Sequence, residues 1–356
     1  MKEQISIFDT AEEIQNTVIF GDALEGLKLL EDGSIDTCIT SPPYYNLRDY
    51  GKDGQIGLEA TPDEYISNLV SIFREVRRVL RHDGTLWINI ADSYAGSGKG
   101  GSAYPENAKK YKQGSNRGSV ERHLPKTPVY NCKPKDMIGI PWMLAFALRN
   151  DGWYLRQDII WAKPNPMPES VKDRCTKSHE YIFLLSKNPR YYFDSEAIAE
   201  PCADSSMARY SQNIDNQSGS DRVPGKSNGK MKTVLPRYGG KKYTETPEIF
   251  CRTKSGRAYD FRPKRNKRDV WTVSTKPYKG AHFATFPDTL ITPCVLAGSR
   301  VGGSVLDPFC GSGTTLMVAN RCGRNGVGIE LNGAYEQLIK DRIGKYTRIS
   351  AEARTL

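Results

Sequence analysis

The sequence lacks cysteine and histidine in any pattern that would hold a metal ion or a disulfide framework. Its eight cysteines include no CxxC pair, and its four histidines show no ligand spacing. We therefore expect no metal site and no disulfide bonds, and we expect the cysteines to be reduced thiols, as in intracellular proteins.

Long apolar runs are also missing. The longest, around Ile140 to Leu148, is far too short to cross a bilayer, and the N-terminus Met1-Lys2-Glu3-Gln4 has no basic-then-apolar signal pattern. These absences predict a cytoplasmic protein with no membrane partner. The 356 residues, 38% of them hydrophobic, are enough for one catalytic domain with a smaller appended region.

Acidic residues are fewer than basic ones. Lysine and arginine number 51 against 41 aspartates and glutamates, a formal net charge of +10. This excess predicts a polyanionic partner, because basic side chains displace counterions from a phosphate backbone. Residues 95–135 hold nine basic against two acidic residues, and Arg222 to Arg268 fifteen against three. We interpret the first segment as a mobile basic loop.

Regular apolar spacing is lost between residues 195 and 269, where no core can be predicted. On either side of this region strands and helices alternate, which predicts an α/β fold with a mostly parallel sheet and helices on both faces. The predicted strands are Thr17 to Phe20, Ile35 to Thr40, Thr85 to Ile90, Trp153 to Trp161, Glu180 to Ser186, Ser304 to Leu306 and Gly326 to Ile329. The predicted helices are Ala23 to Leu30, Pro62 to Leu80, Ile140 to Asn150, Pro287 to Ala297, Thr314 to Arg321 and a final helix from Gly333.

A glycine-rich turn follows one of these strands. Residues Asp307 to Thr315 read DPFCGSGTT, and about twenty residues later a second strand ends in Glu330. Gly311 and Gly313 let the backbone pass close to a ligand at a helix N-terminus, and a carboxylate after the next strand accepts hydrogen bonds from ribose hydroxyls. A nucleoside cofactor fits both features. The turn alone would suit NAD equally well, but Asp307 would repel a diphosphate and suits a cationic amino acid group.

A second motif, Thr40-Ser41-Pro42-Pro43-Tyr44-Tyr45, stands at the end of the predicted strand Ile35 to Thr40. Two consecutive prolines cannot continue a central strand, so the Pro42 carbonyl and the Ser41 side chain are expected to project into a pocket. Acceptors so placed would hold both N–H groups of an exocyclic amino group and orient its lone pair toward a methyl donor, with Tyr44 stacking on the base. An isolated Pro-Pro is more often an ordinary turn. Here a topological switch point of the sheet would bring the two motifs together.

These residues resemble the amino-methylating DNA methyltransferases of restriction-modification systems and phages. The motif order, catalytic first and cofactor last with a variable stretch between, is similar to the β-class permutation of that family. The matching segments are Gly21-Asp22 for the turn that contacts the cofactor adenine, Thr40 to Tyr45 for the catalytic motif, His282 to Pro287 before the cofactor strand, Asp307 to Thr315 for the cofactor motif and Glu330 for the ribose.

The resemblance implies a Rossmann-like, circularly permuted methyltransferase fold with an irregular basic insertion. It also implies S-adenosyl-L-methionine as the cofactor and double-stranded DNA as the partner, with the target base flipped out of the duplex. It assigns catalysis to Ser41, Pro42, Pro43 and Tyr44. It assigns cofactor binding to Asp22, Phe286, Pro287, Asp307, Phe309, Gly311, Gly313, Thr314 and Glu330.

The target base follows from Ser41. Serine at the first motif position is more usual in N4-cytosine enzymes, and aspartate or asparagine in N6-adenine enzymes, so the sequence favours cytosine N4 with adenine N6 as the alternative. C5-cytosine methylation needs a cysteine nucleophile, but the Pro-Cys pairs at 201–202 and 293–294 lie outside that family's context. The expected chemistry is a single in-line methyl transfer with no covalent enzyme intermediate and no metal.

The resemblance also divides the chain into a catalytic half at 1–194, a target-recognition region at 195–269 and a cofactor-binding half at 270–356. It implies a prokaryotic or phage-encoded protein with a cognate restriction endonuclease as a further partner, and it leaves monomer and homodimer open. Single lysines are usually solvated surface charges, so DNA contacts are predicted for clusters rather than for individual residues. The predicted contacts are Lys109, Lys110, Lys112, Arg262, Lys264, Arg265, Lys267 and Arg268.

Two other functions compete. Methyltransferases that act on protein glutamine also use a Pro-Pro-Tyr pocket, but they carry the cofactor motif before the catalytic one. A DNA-binding module that retains a dead methyltransferase fold is disfavoured, because both motifs are intact.

Overall fold

The computed structural model describes residues 14–47, 52, 54–95, 132–203, 250–252, 258–260, 264–275 and 286–351. The chain divides into two compact units, one formed by Met1–Ala197 with Arg268–Leu356 and the other by Ile198–Lys267. Most of the predicted basic loop lies outside the described residues, as do the predicted DNA contacts Lys109, Lys110, Lys112 and Arg262.

A nine-stranded sheet forms the frame of the first unit. In sheet order its strands are β10 (Val270–Thr272), β4 (Tyr154–Ala162), β5 (His179–Ser186), β3 (Leu80–Ile90), β2 (Ile35–Thr40), β11 (Ser304–Asp307), β12 (Asn325–Glu330), β1 (Thr17–Phe20) and β13 (Thr347–Ser350). Neighbouring strands of this sheet are parallel except at β5, which runs antiparallel to both β3 and β4. The predicted mostly parallel sheet is confirmed.

Helices cover both faces of the sheet. The described helices are α1 (Ala23–Lys28), α2 (Pro62–Val79), α3 (Ile140–Asn150), α4 (Asp288–Gly298), α5 (Thr314–Arg321) and α6 (Glu336–Ile343). In β1, Ile19 belongs to the apolar core shared with α1, α2 and α3, whereas Val18 and Phe20 belong to a second core with residues of α5 and α6. Because consecutive strand residues point to opposite faces, the two cores lie on opposite sides of the sheet.

The sequence accounts directly for α2. Thr61 and Glu64 form a reciprocal capping box, and Pro62 stands at the first helical position. Apolar residues then recur every three or four positions and are buried; they are Tyr65, Ile66, Leu69, Ile72, Phe73, Val76 and Val79.

Two predicted boundaries next to α2 were wrong. Helix α2 ends at Val79, one residue before the predicted Leu80. Strand β3 begins directly at Leu80 instead of the predicted Thr85, because Leu80 is buried and pairs with Ile35 of β2. The final helix predicted from Gly333 begins as a 3-10 turn and is followed by β13. Neither β10 nor β13 was predicted, because three or four residues are too few to show alternation.

The second unit contains only short strand pairs among its described residues. β6 (Glu200–Pro201) pairs antiparallel with β9 (Lys264–Arg265), and β7 (Phe250–Arg252) pairs antiparallel with β8 (Ala258–Asp260). Across the described parts of the chain, no helix has the length and apolar character needed to span a membrane.

Candidate active site

The two predicted motifs lie side by side at the carboxyl edge of the sheet. Ser41 follows the end of β2, Asp307 is the last residue of β11, and these two strands are parallel neighbours. The Thr40 hydroxyl donates a hydrogen bond of 2.6 Å to the Asp307 carboxylate across 267 positions of sequence. From β2 the chain continues to β3 on one side, and from β11 to β12 on the other. This is a topological switch point, where open α/β sheets bind ligands.

The Asp307 carboxylate is buried and points inward, with 2% of the residue exposed. One oxygen accepts from Thr40 and, at 3.1 Å, from the backbone N–H of Phe309; the other accepts from the Thr315 hydroxyl at 2.6 Å. Burial raises the pKa of Asp307 to about 6, and these hydrogen bonds oppose the rise. The hydrogen bonds of Asp307 thus connect β11, on which it lies, to β2 and α5. Its predicted contact with the cofactor stays a prediction.

Glu330 holds the glycine-rich turn. Its carboxylate accepts hydrogen bonds of 2.8 Å from the backbone N–H groups of Gly311 and Asn332. Gly311 and Gly313 have φ of 54° and 78°, in the left-handed region that favours glycine, and Gly313 precedes α5. Burial raises the pKa of Glu330 to about 7, against the effect of the two N–H donors. Each carboxylate oxygen keeps a second lone pair for another donor.

The remaining predicted cofactor residues flank this turn or begin nearby helices. The backbone N–H of Gly21 donates to the Glu330 carbonyl at 3.0 Å, which sets the end of β1 beside β12. Asp22 caps α1 by accepting from the N–H groups of Leu24 and Glu25. Pro287 is buried at the start of α4, next to the partly buried Phe286, and the Thr314 hydroxyl accepts from Arg342.

Aromatic residues fix the backbone of the catalytic motif. The Pro43 carbonyl accepts a hydrogen bond of 2.8 Å from the Tyr65 hydroxyl, and Tyr45 is buried with its ring centroid 5.5 Å from that of Tyr65. Pro42 is buried, whereas Ser41 and Tyr44 are partly exposed. The Ser41 hydroxyl lies 3.5 Å from the Tyr44 hydroxyl. The motif therefore presents Ser41 and Tyr44 on a fixed backbone.

A polar network that the sequence did not predict surrounds the Tyr44 hydroxyl. This hydroxyl donates to a Glu180 carboxylate oxygen at 2.6 Å and lies 3.4 Å from the Asn89 side-chain carbonyl. The Asn89 amide donates to the same Glu180 oxygen at 3.1 Å, and Lys163 forms an ion pair with the other oxygen. Burial and the Glu180 carboxylate raise the pKa of Tyr44 well above its usual range.

Glu180 reaches this site because β5 is reversed. It is the second residue of β5, and an antiparallel strand begins at the edge where its neighbours end. A signal was present in the sequence: no helix was predicted between residues 162 and 179, and without a crossover helix two adjacent strands pair antiparallel.

Asp92 follows the end of β3 and has a structural role. Its carboxylate accepts 3.0 Å hydrogen bonds from the N–H groups of Gly139 and Ile140, and so caps α3. Its carbonyl accepts from Lys177 Nζ at 2.7 Å.

The sequence of residues 35–341 matches the N6/N4 methyltransferase family described as DNA methylase. The chain belongs to this DNA methylase family. The methylase is 44% identical to Type II methyltransferase M.SmaI of Serratia marcescens, over 95% of its own length and 96% of that relative. It is also 44% identical to M.Cfr9I of Citrobacter freundii, over 93% and 89% of the two chains.

Solved structures share the fold of this methylase. PvuII DNA methyltransferase (cytosine-N4-specific) superposes with a TM-score of 0.56 at 16% identity, covering 96% of the methylase and 91% of that chain. The Thermus thermophilus protein TTHA0409, complexed with S-adenosyl-L-methionine, gives a TM-score of 0.53 at 20% identity, covering 96% and 100%. The predicted family, Rossmann-like fold and cofactor are confirmed, and the methylase is a DNA methyltransferase that uses S-adenosyl-L-methionine.

The residues at the carboxyl edge fit this cofactor. Glu330 offers a buried carboxylate with unused lone pairs, which suits two ribose hydroxyls. Gly311 and Gly313 have left-handed φ values that shape the turn, and a Cβ at Gly313 would lie 3.6 Å from Ile339 of α6. Ser312 adds a buried hydroxyl that has no hydrogen-bond partner among the described residues. The turn is thus shaped for a neutral nucleoside and has no lysine or arginine of the kind that would hold a diphosphate.

Proposed function

We propose that this methylase transfers a methyl group from S-adenosyl-L-methionine to the exocyclic N4 of cytosine in a specific sequence of double-stranded DNA. Ser41 carries the proposal, because it places a neutral hydroxyl at the first motif position, where N6-adenine enzymes more usually have aspartate or asparagine. The fold of PvuII, whose name gives cytosine N4 as its target, accommodates this reaction. The target base is flipped out of the duplex, since a paired base cannot present its amino group to a buried donor.

Positioning supplies most of the catalysis. The cofactor provides an activated methyl group on a sulfonium centre. The Ser41 hydroxyl and the Pro42 carbonyl accept hydrogen bonds from the two N–H groups of the exocyclic amino group. These bonds orient the nitrogen lone pair toward that methyl group. Tyr44 stacks on the flipped base. The proton leaves the nitrogen after methyl transfer, so no strong general base is required.

The cofactor-binding roles follow the geometry of the strand ends. We assign the ribose hydroxyls to Glu330, the adenine to the Gly21-Asp22 turn and the methionine end to Phe286 and Pro287. The remaining members of the glycine-rich turn complete the cofactor site; they are Asp307, Phe309, Gly311, Gly313 and Thr314.

DNA binding is assigned to the basic clusters. We propose that residues 195–269 recognise the target sequence and that Lys264, Arg265, Lys267 and Arg268 contact phosphates. A cognate endonuclease and the choice between monomer and homodimer stay predictions from the sequence.

Nucleoside analysis tests the proposal. Purified protein is incubated with duplex DNA of mixed sequence and methyl-labelled S-adenosyl-L-methionine, and the digested nucleosides are identified by mass spectrometry. Label in N4-methyldeoxycytidine is expected. Label in N6-methyldeoxyadenosine would overturn the base assignment and keep the site. Normal methylation by a variant with Ser41, Pro42 and Tyr44 all changed to alanine would overturn the site itself.

A further inference from the structure

We infer that Glu180 is a positioning residue for methyl transfer, which acts by holding the hydroxyl of Tyr44. This inference rests on the proposed stacking role of Tyr44 and extends it to a residue outside the catalytic motif. The contact that carries it is the 2.6 Å hydrogen bond from the Tyr44 hydroxyl to the Glu180 carboxylate.

The Glu180 carboxylate is held from three neighbouring strands. One of its oxygens accepts from Tyr44, beyond the end of β2, and from Asn89 of β3 at 3.1 Å. Lys163, directly after β4, pairs with the other oxygen, and both side chains of this pair are largely buried, 19% and 13% exposed. Glu180 itself belongs to β5. A carboxylate with donors on both oxygens is a fixed anchor, because any rotation would break a charge-assisted hydrogen bond.

The neighbours of Glu180 are fixed as well. The Asn89 amide also donates to the Tyr181 carbonyl at 3.2 Å. Lys163 Nζ lies 4.3 Å from the centroid of the Trp161 ring, within the range of a cation–π contact. The Trp161 indole N–H donates to the Val273 carbonyl at 2.8 Å. The anchor is thus built from residues that lie within the strands of the sheet or shortly after their ends.

Anchoring the hydroxyl matters because Tyr44 is only partly buried. Without a bond at the hydroxyl its ring would be free to change rotamer, and a base stacked on it would lose its orientation toward the methyl donor. If the Tyr44 ring is already held in place, the reaction does not have to supply the entropy of ordering it. Placement matters, because a small displacement of the reacting atoms can lower the rate about a hundredfold. Glu180 therefore affects turnover and leaves the cofactor site, which lies on β11 and β12, unchanged.

A double-mutant cycle on total methyl transfer tests this coupling. The variants are Glu180→Ala, Tyr44→Phe and both together, with Glu180→Gln as the conservative change. Glu75→Gln is the matched control, since Glu75 pairs with Arg78 near the end of α2 and does not touch the site. Each single variant is expected to lower kcat by about tenfold or more, and the double variant no further than the worse single one, because both remove the same hydrogen bond.

Three readouts separate positioning from a structural role. Cofactor Kd and Tm are expected to stay near the unmodified values in Tyr44→Phe and Glu180→Gln. Glu180→Gln, which keeps an acceptor for the Tyr44 hydroxyl, is expected to retain more activity than Glu180→Ala, and Glu75→Gln to retain full activity. The inference would be overturned if the fold-loss of kcat in the double variant equalled the product of the two single fold-losses, or if Tyr44→Phe kept full activity.

Total label incorporation is the readout of this cycle, whichever base receives it. If the label appears in adenine, the N4 proposal fails and the cycle is still interpretable. If the label appears in cytosine and the losses multiply, the N4 proposal stands and the role of Glu180 is rejected.

Discussion

The Thr40 hydroxyl and the Asp307 carboxylate are 2.6 Å apart and buried. This hydrogen bond joins the last residue of β2 to the last residue of β11, and so joins the catalytic motif to the cofactor motif. A methyl transferase must hold its donor and acceptor sites in one fixed relation, because reaction requires the reacting atoms to approach in line. Circular permutation places the two motifs far apart in sequence, and adjacent parallel strands restore their proximity.

Replacing Thr40 with valine should cost more stability than the same change at another buried threonine of β2. Thr37 is the matched control, because its hydroxyl bonds the neutral Thr85 hydroxyl at 2.9 Å. Hydrogen bonds to charged groups contribute about 1.5–3 kcal/mol, and neutral ones about 1 kcal/mol. Urea unfolding near pH 8, where Asp307 is ionised, should show a larger loss of unfolding free energy for Thr40→Val. Equal losses would mean that the charge of Asp307 adds nothing.

The sequence predicted that the two motifs lie side by side because the strand ends carry unusual residues. Buried strands followed at once by Ser41-Pro42-Pro43 and by Asp307-Pro308 left few alternatives, because proline ends a central strand and the ends of parallel strands share one edge. Glu180 was not found, because its position depends on the direction of β5. The pattern of apolar residues does not encode that direction, and only the lack of a predicted helix between residues 162 and 179 indicated it.

Cofactor affinity should depend on pH through Glu330. Burial raises the pKa of this carboxyl to about 7 in the free protein, so the proton-bound form is populated below that pH. Ribose hydroxyls donate to the ionised form, so cofactor binding releases a proton and tightens as the pH rises from about 6 to about 8. Calorimetry across this range should show Kd falling several-fold for the unmodified protein.

The variant Glu330→Gln is the control for this pH dependence. It should bind the cofactor more weakly, and its Kd should change less with pH, because glutamine does not titrate. Asp307, with a pKa of about 6, accounts for any slope left at the acidic end. A flat profile for the unmodified protein would exclude Glu330 as the ribose acceptor.

The variant Ser41→Ala should separate turnover from cofactor binding. Loss of one of the two acceptors for the amino group should lower kcat by about a hundredfold, by analogy with removal of one preorganised hydrogen-bonding group in other enzymes. The Ser41 hydroxyl lies beside Tyr44 rather than on the glycine-rich turn, so the Kd for S-adenosyl-L-methionine should not change. Steady-state methylation at saturating cofactor and DNA measures the first quantity and calorimetry the second. A weakened Kd with unchanged kcat would move Ser41 out of the catalytic role.

The salt dependence of DNA binding should report on the basic cluster at 264–268. Arg265 and Lys267 each lie 3.6 Å from the Glu200 carboxylate, which offsets part of their charge. Lys264 and Arg268 are the more exposed basic residues of this segment. Each phosphate contact adds about 0.9 to the slope of log affinity against log salt concentration. Changing both Lys264 and Arg268 to glutamine should therefore reduce that slope by about 1.8 in a fluorescence-anisotropy titration. Arg81→Gln, which removes an exposed arginine at the amino end of β3, is the control and should leave the slope unchanged. An unchanged slope in the double variant would place the phosphate contacts elsewhere on the chain.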